Sequence, residues 1–387
     1  MLASHHSAAP VSVSWTEDEQ TRTAQWCAQN SSGPPKRIVT ADDTLSADAA
    51  YRLISQGTSV LWRGDFQNAR QLLQALTRRI DHKKKSAKDD KKPLSGLDAF
   101  NQHRLQQSQR TQLLNKLLIE LDVNSHIALR RAPDVQEACV AALGPATGPF
   151  LLSLRALQGI IGAHEWRKKG VPVTGLPKNI HVHYGVFSPS RGEYIDLVAN
   201  APLPATDLAF DIGTGSGVLA AVLAQRGVRK VIGTEQDPRA LACAQENVQN
   251  LGFEDIIELQ TVDLFPSGTS GLIVCNPPWL PARPTTPIEH AIYDPDSRML
   301  LGFLNGLGEH LRADGEGWLI MSNLAEHLGL RSPEFLADAI ANAGLRVLGK
   351  TDAHPRHPKV QDETDPLHQA RRAEVTSLWR LGRASTA

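Results

Sequence analysis

The sequence predicts an α/β protein built on a mostly parallel, doubly wound sheet, and three observations predict it. The apolar run Leu208 to Ile212 breaks into Gly213, Gly215 and Gly217, then resumes as an Ala/Leu/Val run with helical spacing. That order reads as strand, tight turn and helix N-terminus. Three further apolar runs, VIGTE (231–235), IELQTVD (257–263) and GLIVC (271–275), end on or beside a polar residue: Glu235, Asp263 and Asn276. Helical segments separate the runs, so the strands lie parallel and their polar ends share one carboxyl edge. Ligands of open α/β sheets bind at that edge.

Glycines suit the loop because a ligand must approach the backbone closely and because the turn needs dihedral angles that a Cβ forbids. The spacing is G-x-G-x-G, not the G-x-G-x-x-G of dinucleotide sites, and no Lys-Ser/Thr follows as a P-loop requires. A carboxylate at Asp211, at the end of the strand, repels a pyrophosphate and suits a cationic ligand. Glu235 stands eighteen residues beyond Gly217, the distance at which an acid takes the hydroxyls of a ribose.

The series DIGTGSG, GTEQDP, TVDLF and NPPW resembles class I S-adenosylmethionine-dependent methyltransferases. NPPW after a β-strand further resembles their amino-methylating branch, the release-factor glutamine methyltransferases and the adenine or guanine amine methyltransferases of RNA and DNA. The resemblance runs from about Tyr184 to Leu381, about half of the chain. It implies a Rossmann-like seven-stranded sheet with one antiparallel strand, and S-adenosyl-L-methionine as cofactor. Backbone N–H groups from Thr214 to Gly217 would take the methionine carboxylate, with Gly213 and Gly215 leaving room, and Asp211 its ammonium. Glu235, with Gln236 beside it, would hold the ribose; Asp263 and the Leu264 N–H would read the adenine edge.

In the NPPW turn, the Asn276 side-chain oxygen and the Pro277 carbonyl would be two acceptors that aim the lone pair of a planar amine at the methyl group. Pro277 and Pro278 fix the turn at little entropic cost, and Trp279 offers a π face to a flat target. A plain Asn-Pro turn over a buried Trp is the competing structural reading. The expected substrate is a glutamine side-chain amide of a translation protein, with the exocyclic amine of adenine or guanine in rRNA, tRNA or DNA as the alternative. A SAM-binding interaction module without turnover is a third reading. It gives no reason to keep NPPW together with the full cofactor set.

At 387 residues the chain can hold two domains, and 41% hydrophobic with 21% charged residues is ordinary for a globular protein. No apolar run approaches the ~20 residues of a membrane span. The N-terminus lacks a basic start followed by an apolar core, so no secretion signal is read. Four cysteines without metal-ligand spacing fit a reducing, cytoplasmic setting. The formal charge of zero is unevenly placed: residues 51–131 hold 16 Lys/Arg against 7 Asp/Glu. Such a balance suits an anionic partner such as RNA or the ribosome. Without aromatics among the lysines it equally describes a solvated helix surface and a basic loop.

In chain order, residues 1–45 read as a loose arm. Residues 46–170 read as a helical, basic domain for substrate recognition, with helices over SADAAYRLISQG, Asp65 to Ile80, Asp98 to Leu121, Asp134 to Gly144 and from Phe150 on. HKKKSAKDDKKP reads as an exposed linker. Residues 171–200 read as a hairpin and turn, in which IHVHYGVF alternates like a strand. Phe187, Pro189, Arg191 and Glu193 are candidates for a roof over cofactor and target, or Arg191 and Glu193 for a surface pair. Residues 201–387 form the catalytic domain. After NPPW a proline-rich segment reads as a flap, and two late runs close the sheet as an antiparallel pair. The long connection 351–372 carries His354 and His368, and His357 between them, with no ligand-spaced acid or Cys, so no metal is expected.

Overall fold

The structure, a computed structural model, describes residues 11–27, 33–86, 96–356 and 358–384. The chain divides into two compact units: Met1–Pro93 with Gln102–Glu165, and Leu94–Asn101 with Trp166–Ala387.

The first unit corrects the expectation of a helical domain behind a loose arm. Its strands are β1 (Ser12–Glu17), β2 (Gln20–Trp26), β3 (Ile38–Ala41), β4 (Ser59–Trp62), β5 (Leu117–Leu121) and β6 (Phe150–Ser153). They form one mixed sheet in the order β1-β2-β6-β5-β4-β3. The helices are α1 (Ala47–Ser55), α2 (Phe66–Ser86), α3 (Gly96–Leu114), α4 (Gln136–Leu143) and α5 (Leu154–Lys169). α3 begins in the second unit and α5 ends there.

Two physical causes lie behind the difference. The β1–β2 hairpin turns at Asp18 and Glu19, with φ of 51° and 60°. Two-residue turns of this kind normally use Asn or Gly, so the sequence shows no turn signal there. SVLW, LLIEL and FLLS are short apolar runs buried almost throughout, and by periodicity alone such runs read like the ends of neighbouring helices. Where the helical expectation concerned a face, that face is buried: Phe66, Ala69, Leu72, Leu73 and Leu76 on α2 all lie inside. α1 is capped by Ser46, whose Oγ accepts from the Ala49 N–H. Of the basic linker, residues 82–86 complete α2 and 87–93 lie outside the described residues.

The second unit carries the site. Its strands are β7 (Ala209–Ile212), β8 (Val231–Thr234), β9 (Ile257–Gln260), β10 (Ser270–Cys275), β11 (Leu311–Ser322), β12 (Leu345–Ala353) and β13 (Thr376–Arg383). The sheet order is β12-β13-β11-β10-β7-β8-β9. β13 is antiparallel to both neighbours, and the pairings from β11 through to β9 are parallel. Helices α6 (Glu193–Asn200), α7 (Val218–Gln225), α8 (Pro238–Leu251), α9 (Arg298–His310), α10 (Leu324–His327), α11 (Phe335–Asn342) and α12 (His368–Ala373) complete it.

Both faces of this sheet are covered, which is why its strands read as continuous apolar runs. Leu272, Val274, Trp318 and Ile320 pack with residues of α6, α7 and α8. Ile273, Cys275, Leu319 and Met321 point the other way, against Leu300, Phe303, Leu304 and Leu307 of α9 and against α11. Each fully buried aliphatic or aromatic side chain contributes about 1.5–3 kcal/mol. The alternation therefore locks the register. In that register Thr234, Ile212 and Cys275 lie in line as the last paired residues of β8, β7 and β10.

The expected strand at IHVHYGVF is absent. One antiparallel bridge joins Val171 to Ile180, and the backbone then bonds to side chains of α8 instead of a strand. Asn247 Oδ1 accepts from the His181 N–H at 2.7 Å, its Nδ2 donates to the His181 carbonyl at 3.1 Å, and His183 Nε2 meets Glu246 at 2.8 Å.

Candidate functional site

The chain turns out of β7 through Gly213, Gly215 and Gly217, all left-handed with φ of 71°, 57° and 80°. At Gly213 a Cβ would lie 2.4 Å from Met299 Cε. Met299, from α9, thus covers the loop, a contact that no motif announces. Asn247 Nδ2 also donates to the Ser216 carbonyl at 3.0 Å. One buried asparagine of α8 therefore ties the loop to the segment before α6, and its only sequence trace is a polar residue on the buried face of a helix.

Asp211 is 1% exposed. Its Oδ2 accepts from Thr214 Oγ1 at 2.6 Å and from the Ala220 N–H at 3.0 Å, and Oδ1 takes no protein donor among the described residues. Burial pushes the carboxyl up to about 6, against the two hydrogen bonds, and the nearby Glu235 adds to the rise. A buried acid with an open oxygen and a raised pKa is stabilised by an incoming cation.

The loop amides are less free than the sequence suggests. The Thr214 N–H donates to the Thr234 carbonyl at 2.9 Å and the Gly217 N–H to the Thr214 carbonyl at 2.8 Å. The Gly215 N–H donates to Glu235 Oε2 at 3.1 Å. From Thr214 to Leu219 the amides without a protein acceptor among the described residues are those of Ser216, Val218 and Leu219, at the start of α7. They shift the expected anion donors from Thr214–Gly217 toward the first helical turn.

Glu235 directs its other oxygen, Oε1, at the N–H groups of Gln236 and Asp237, at 2.8 and 3.0 Å. Gln236 Nε2 donates to Asp263 Oδ1, and Arg298 Nη2 reaches Asp263 Oδ2 at 2.6 Å. Leu264 holds a φ of 64°, costly for a branched side chain, and its carbonyl accepts from Thr234 Oγ1 at 2.6 Å. Glu235, Gln236, Asp263 and Leu264 thus form one hydrogen-bonded rim beside the glycine loop.

Asn276 begins where β10 ends. Its Oδ1 accepts from Trp279 Nε1 at 3.0 Å, a bond that selects the orientation of the carboxamide. Trp279 is half-buried and packs against the cores on both faces of the sheet. Its carbonyl accepts from Arg331 Nη1 at 3.0 Å, and Arg331 also reaches Ser297 Oγ at 2.9 Å. Pro277 is buried and Pro278 half-buried. The segment after NPPW is anchored at both ends: Leu280 bridges Tyr293, and buried Asp294 caps α9 by accepting from the N–H groups of Met299 and Leu300.

Of the roof candidates, Pro189 and Glu193 are buried and Phe187 and Arg191 half-buried. Arg191 and Glu193 do not pair with each other. Arg191 Nη1 lies 3.3 Å from Glu374 Oε1, and Glu193 Oε1 accepts from the Arg356 N–H at 2.8 Å. Glu374 is 0% exposed, takes a second bond from Ser322 Oγ at 2.7 Å, and keeps Oε2 without a partner. Sequence reasoning missed this acid because it lies 183 residues from Arg191. No group of His, Cys, Asp and Glu able to hold a metal occurs among the described residues, and His357 lies outside them. No described helix is long and apolar enough to cross a membrane.

A glycine loop under a buried acid, a carboxylate rim and an Asn-Pro-Pro-Trp turn lie at one sheet edge, an arrangement that fits an S-adenosylmethionine-dependent methyltransferase. Residues 178–335 match the family model of the methyltransferase small domain. The release factor glutamine methyltransferase of Mycolicibacterium smegmatis is 30% identical over 168 residues, 40% of this chain and 58% of that one. The tRNA1(Val) (adenine(37)-N6)-methyltransferase of Proteus mirabilis is 37% identical over 90 residues, 21% of this chain and 36% of that one. The ribosomal protein L11 methyltransferase of Alkaliphilus oremlandii is 44% identical over 69 residues, 17% and 22% of the two chains. The chain thus spans at most 58% of the length of these relatives.

Proposed function

We propose that the protein transfers a methyl group from S-adenosylmethionine to a planar amine nitrogen, and that the first unit recognises the macromolecule bearing it. The observation that carries this reading is the Asn276 carboxamide, held by Trp279 Nε1 at 3.0 Å at the end of β10, next to the β7 strand that carries Asp211.

When bound, the cofactor supplies an already activated methyl on a sulfonium, so no strong base is required of the protein. Asp211 Oδ1 pairs the ammonium end and the Ser216, Val218 and Leu219 amides the carboxylate end. Glu235 must exchange its backbone partners for ribose hydroxyls, and Asp263 with the Leu264 N–H meets the base. Asn276 Oδ1 keeps one lone pair for the target, because Trp279 uses the other. With the Pro277 carbonyl it fixes the two N–H bonds of the amine and so directs the nitrogen lone pair. The proton lost from nitrogen can leave to solvent after transfer.

The substrate of first choice is a glutamine side-chain amide of a translation protein. Support comes from the 168-residue alignment with a release factor glutamine methyltransferase. The second reading, an exocyclic amine of adenine or guanine in RNA or DNA, is favoured by the 16 to 7 basic excess of residues 51–131 and by the adenine-N6 relative. Radiolabelled methyl transfer into a cell extract, split by nuclease or protease, tests both. Label that survives nuclease and falls to protease supports the glutamine reading, the converse supports the nucleic-acid reading, and no incorporation rejects transfer.

A further inference from the structure

The first unit contains a pocket of about 450 Å³ between α2, α3 and α5. Its polar lining is Gln74, Thr77 and Arg78 from α2, Arg110 from α3, and Arg155 and Gln158 from α5. Three cations therefore line it, and among the described residues no carboxylate does.

The partners of these groups are unequal. Arg110 holds Asp81 through Nε and Nη2, at 2.8 and 3.1 Å. Thr77 spends its hydroxyl on the Leu73 carbonyl at 2.8 Å. Arg78, Arg155 and the two glutamine amides have no protein partner among the described residues. Arg155 is the anomaly: burial disfavours its charge and so does Arg110. It also sits in the first turn of α5, which has no acidic residue there, and a cation at that helix end is destabilising. Leu73 and Leu114, 5% and 2% exposed, back the pocket and reduce screening by water. An arginine kept half-buried without a counter-charge lowers stability unless an anion completes the site.

We propose that this pocket binds a phosphate group, with Arg155 as its central ligand, Arg110 and Arg78 flanking it, and Gln74 and Gln158 as neutral donors. Guanidinium forks match phosphate oxygens in pairs, and the volume lies in the range of small-ligand sites, large enough for the phosphate together with an attached sugar. The same chemistry can arrive as a free phosphate ester or as a phosphodiester of a nucleic-acid backbone. The site is separate from the glycine loop and stands whether or not the methyl-transfer reading does.

The test uses the full chain and two probes, inorganic phosphate and a short labelled oligouridylate, with chloride at matched ionic strength as control. Phosphate raises the thermal midpoint of the wild type. Arg155→Gln unfolds no lower than the wild type without ligand, loses the phosphate-dependent rise, and binds at least tenfold more weakly. Arg78→Gln, at the exposed rim, weakens binding several-fold without changing the ligand-free midpoint. Oligouridylate binding far tighter than phosphate, and dependent on Arg155, identifies a nucleic-acid backbone as the source. Equal affinities identify a small phosphate ester. A wild type that responds to neither probe beyond chloride, or an Arg155→Gln variant that responds as the wild type does, overturns the proposal.

Discussion

If Asp211 pairs the ammonium of the cofactor as proposed, cofactor binding should depend on pH in a way set by the surroundings of this acid. Its carboxyl sits at about 6 because burial outweighs the bonds from Thr214 and Ala220. The ligand ammonium has a pKa of roughly 7.7–8.0 and stays charged in the acidic range. At pH 7 about nine-tenths of the acid is ionised and at pH 5 about one-tenth, so affinity should fall roughly tenfold between those values. Near pH 6 binding should release about half a proton per site. Calorimetry with S-adenosylhomocysteine, which shares the same amino-acid end, in two buffers of different ionisation enthalpy measures both quantities. Asp211→Asn should bind weakly and release no proton.

The same group shapes the stability of the protein without cofactor. Its folded-state pKa is raised from the model-peptide 3.8 to about 6, so the folded state retains a proton that the unfolded chain gives up. The contribution is complete below about pH 4 and is lost as pH rises through 6. With ~1.4 kcal/mol for each pH unit between the two values, it amounts to about 3 kcal/mol. Urea unfolding from pH 4.5 to 7 should therefore show wild-type stability declining relative to Asp211→Asn. Parallel curves, together with an affinity that does not change between pH 5 and 7, would refute the reasoning about Asp211.

Four substitutions probe the rest. Asn276→Ala should bind S-adenosylhomocysteine normally and lose roughly 10²–10³ in kcat, the cost of removing one oriented polar partner; wild-type turnover would reject the amine clamp. Trp279→Phe removes only the donor to Asn276 Oδ1, about 1 kcal/mol, and should lower kcat several-fold with cofactor Kd unchanged. Gly213→Ala combines a φ of 71° with a Cβ 2.4 Å from Met299; in calorimetry it should abolish cofactor binding, and adding Met299→Ala should relieve the clash but not the backbone strain. Phe303→Ala empties a fully buried position on the α9 face of the sheet and should cost about 3–5 kcal/mol in urea unfolding.

The second unit was legible because its strands are short, apolar on both faces and each closed by a polar residue. Gly213, Gly215 and Gly217 mark a turn that needs positive φ, and Glu235, Asp263 and Asn276 mark strand ends. Those local signals place the edge of the sheet without any knowledge of tertiary contacts. What they could not disclose are partners far away in the chain. Met299 on Gly213, Asn247 on Ser216 and Glu374 beside Arg191 depend on where helices land, and no spacing rule connects them. Even where a residue was singled out, its commitments were hidden: Glu235 is bonded to the loop it was expected to serve beside, and Trp279 to the asparagine it follows.

The first unit failed to show itself for the opposite reason. Apart from the β1–β2 hairpin its sheet is built from four- and five-residue runs close to helices, so FLLS continues into α5 with no Gly or Pro between them, and LLIEL follows α3 after only Asn115 and Lys116. The β1–β2 hairpin hides behind a turn of two acids. Charge, too, is partly spent inside the unit, which a count over the whole segment does not show. Arg63 is spent on Glu17 and Glu120, whereas Arg130 and Arg131 share the single carboxylate of Asp65. The local excess is Arg155 and Arg78, which have no acid to answer them among the described residues. A domain that pairs Arg63, Arg79 and Arg110 with its own acids and leaves Arg78 and Arg155 in a pocket is suited to gripping one anion at a defined place.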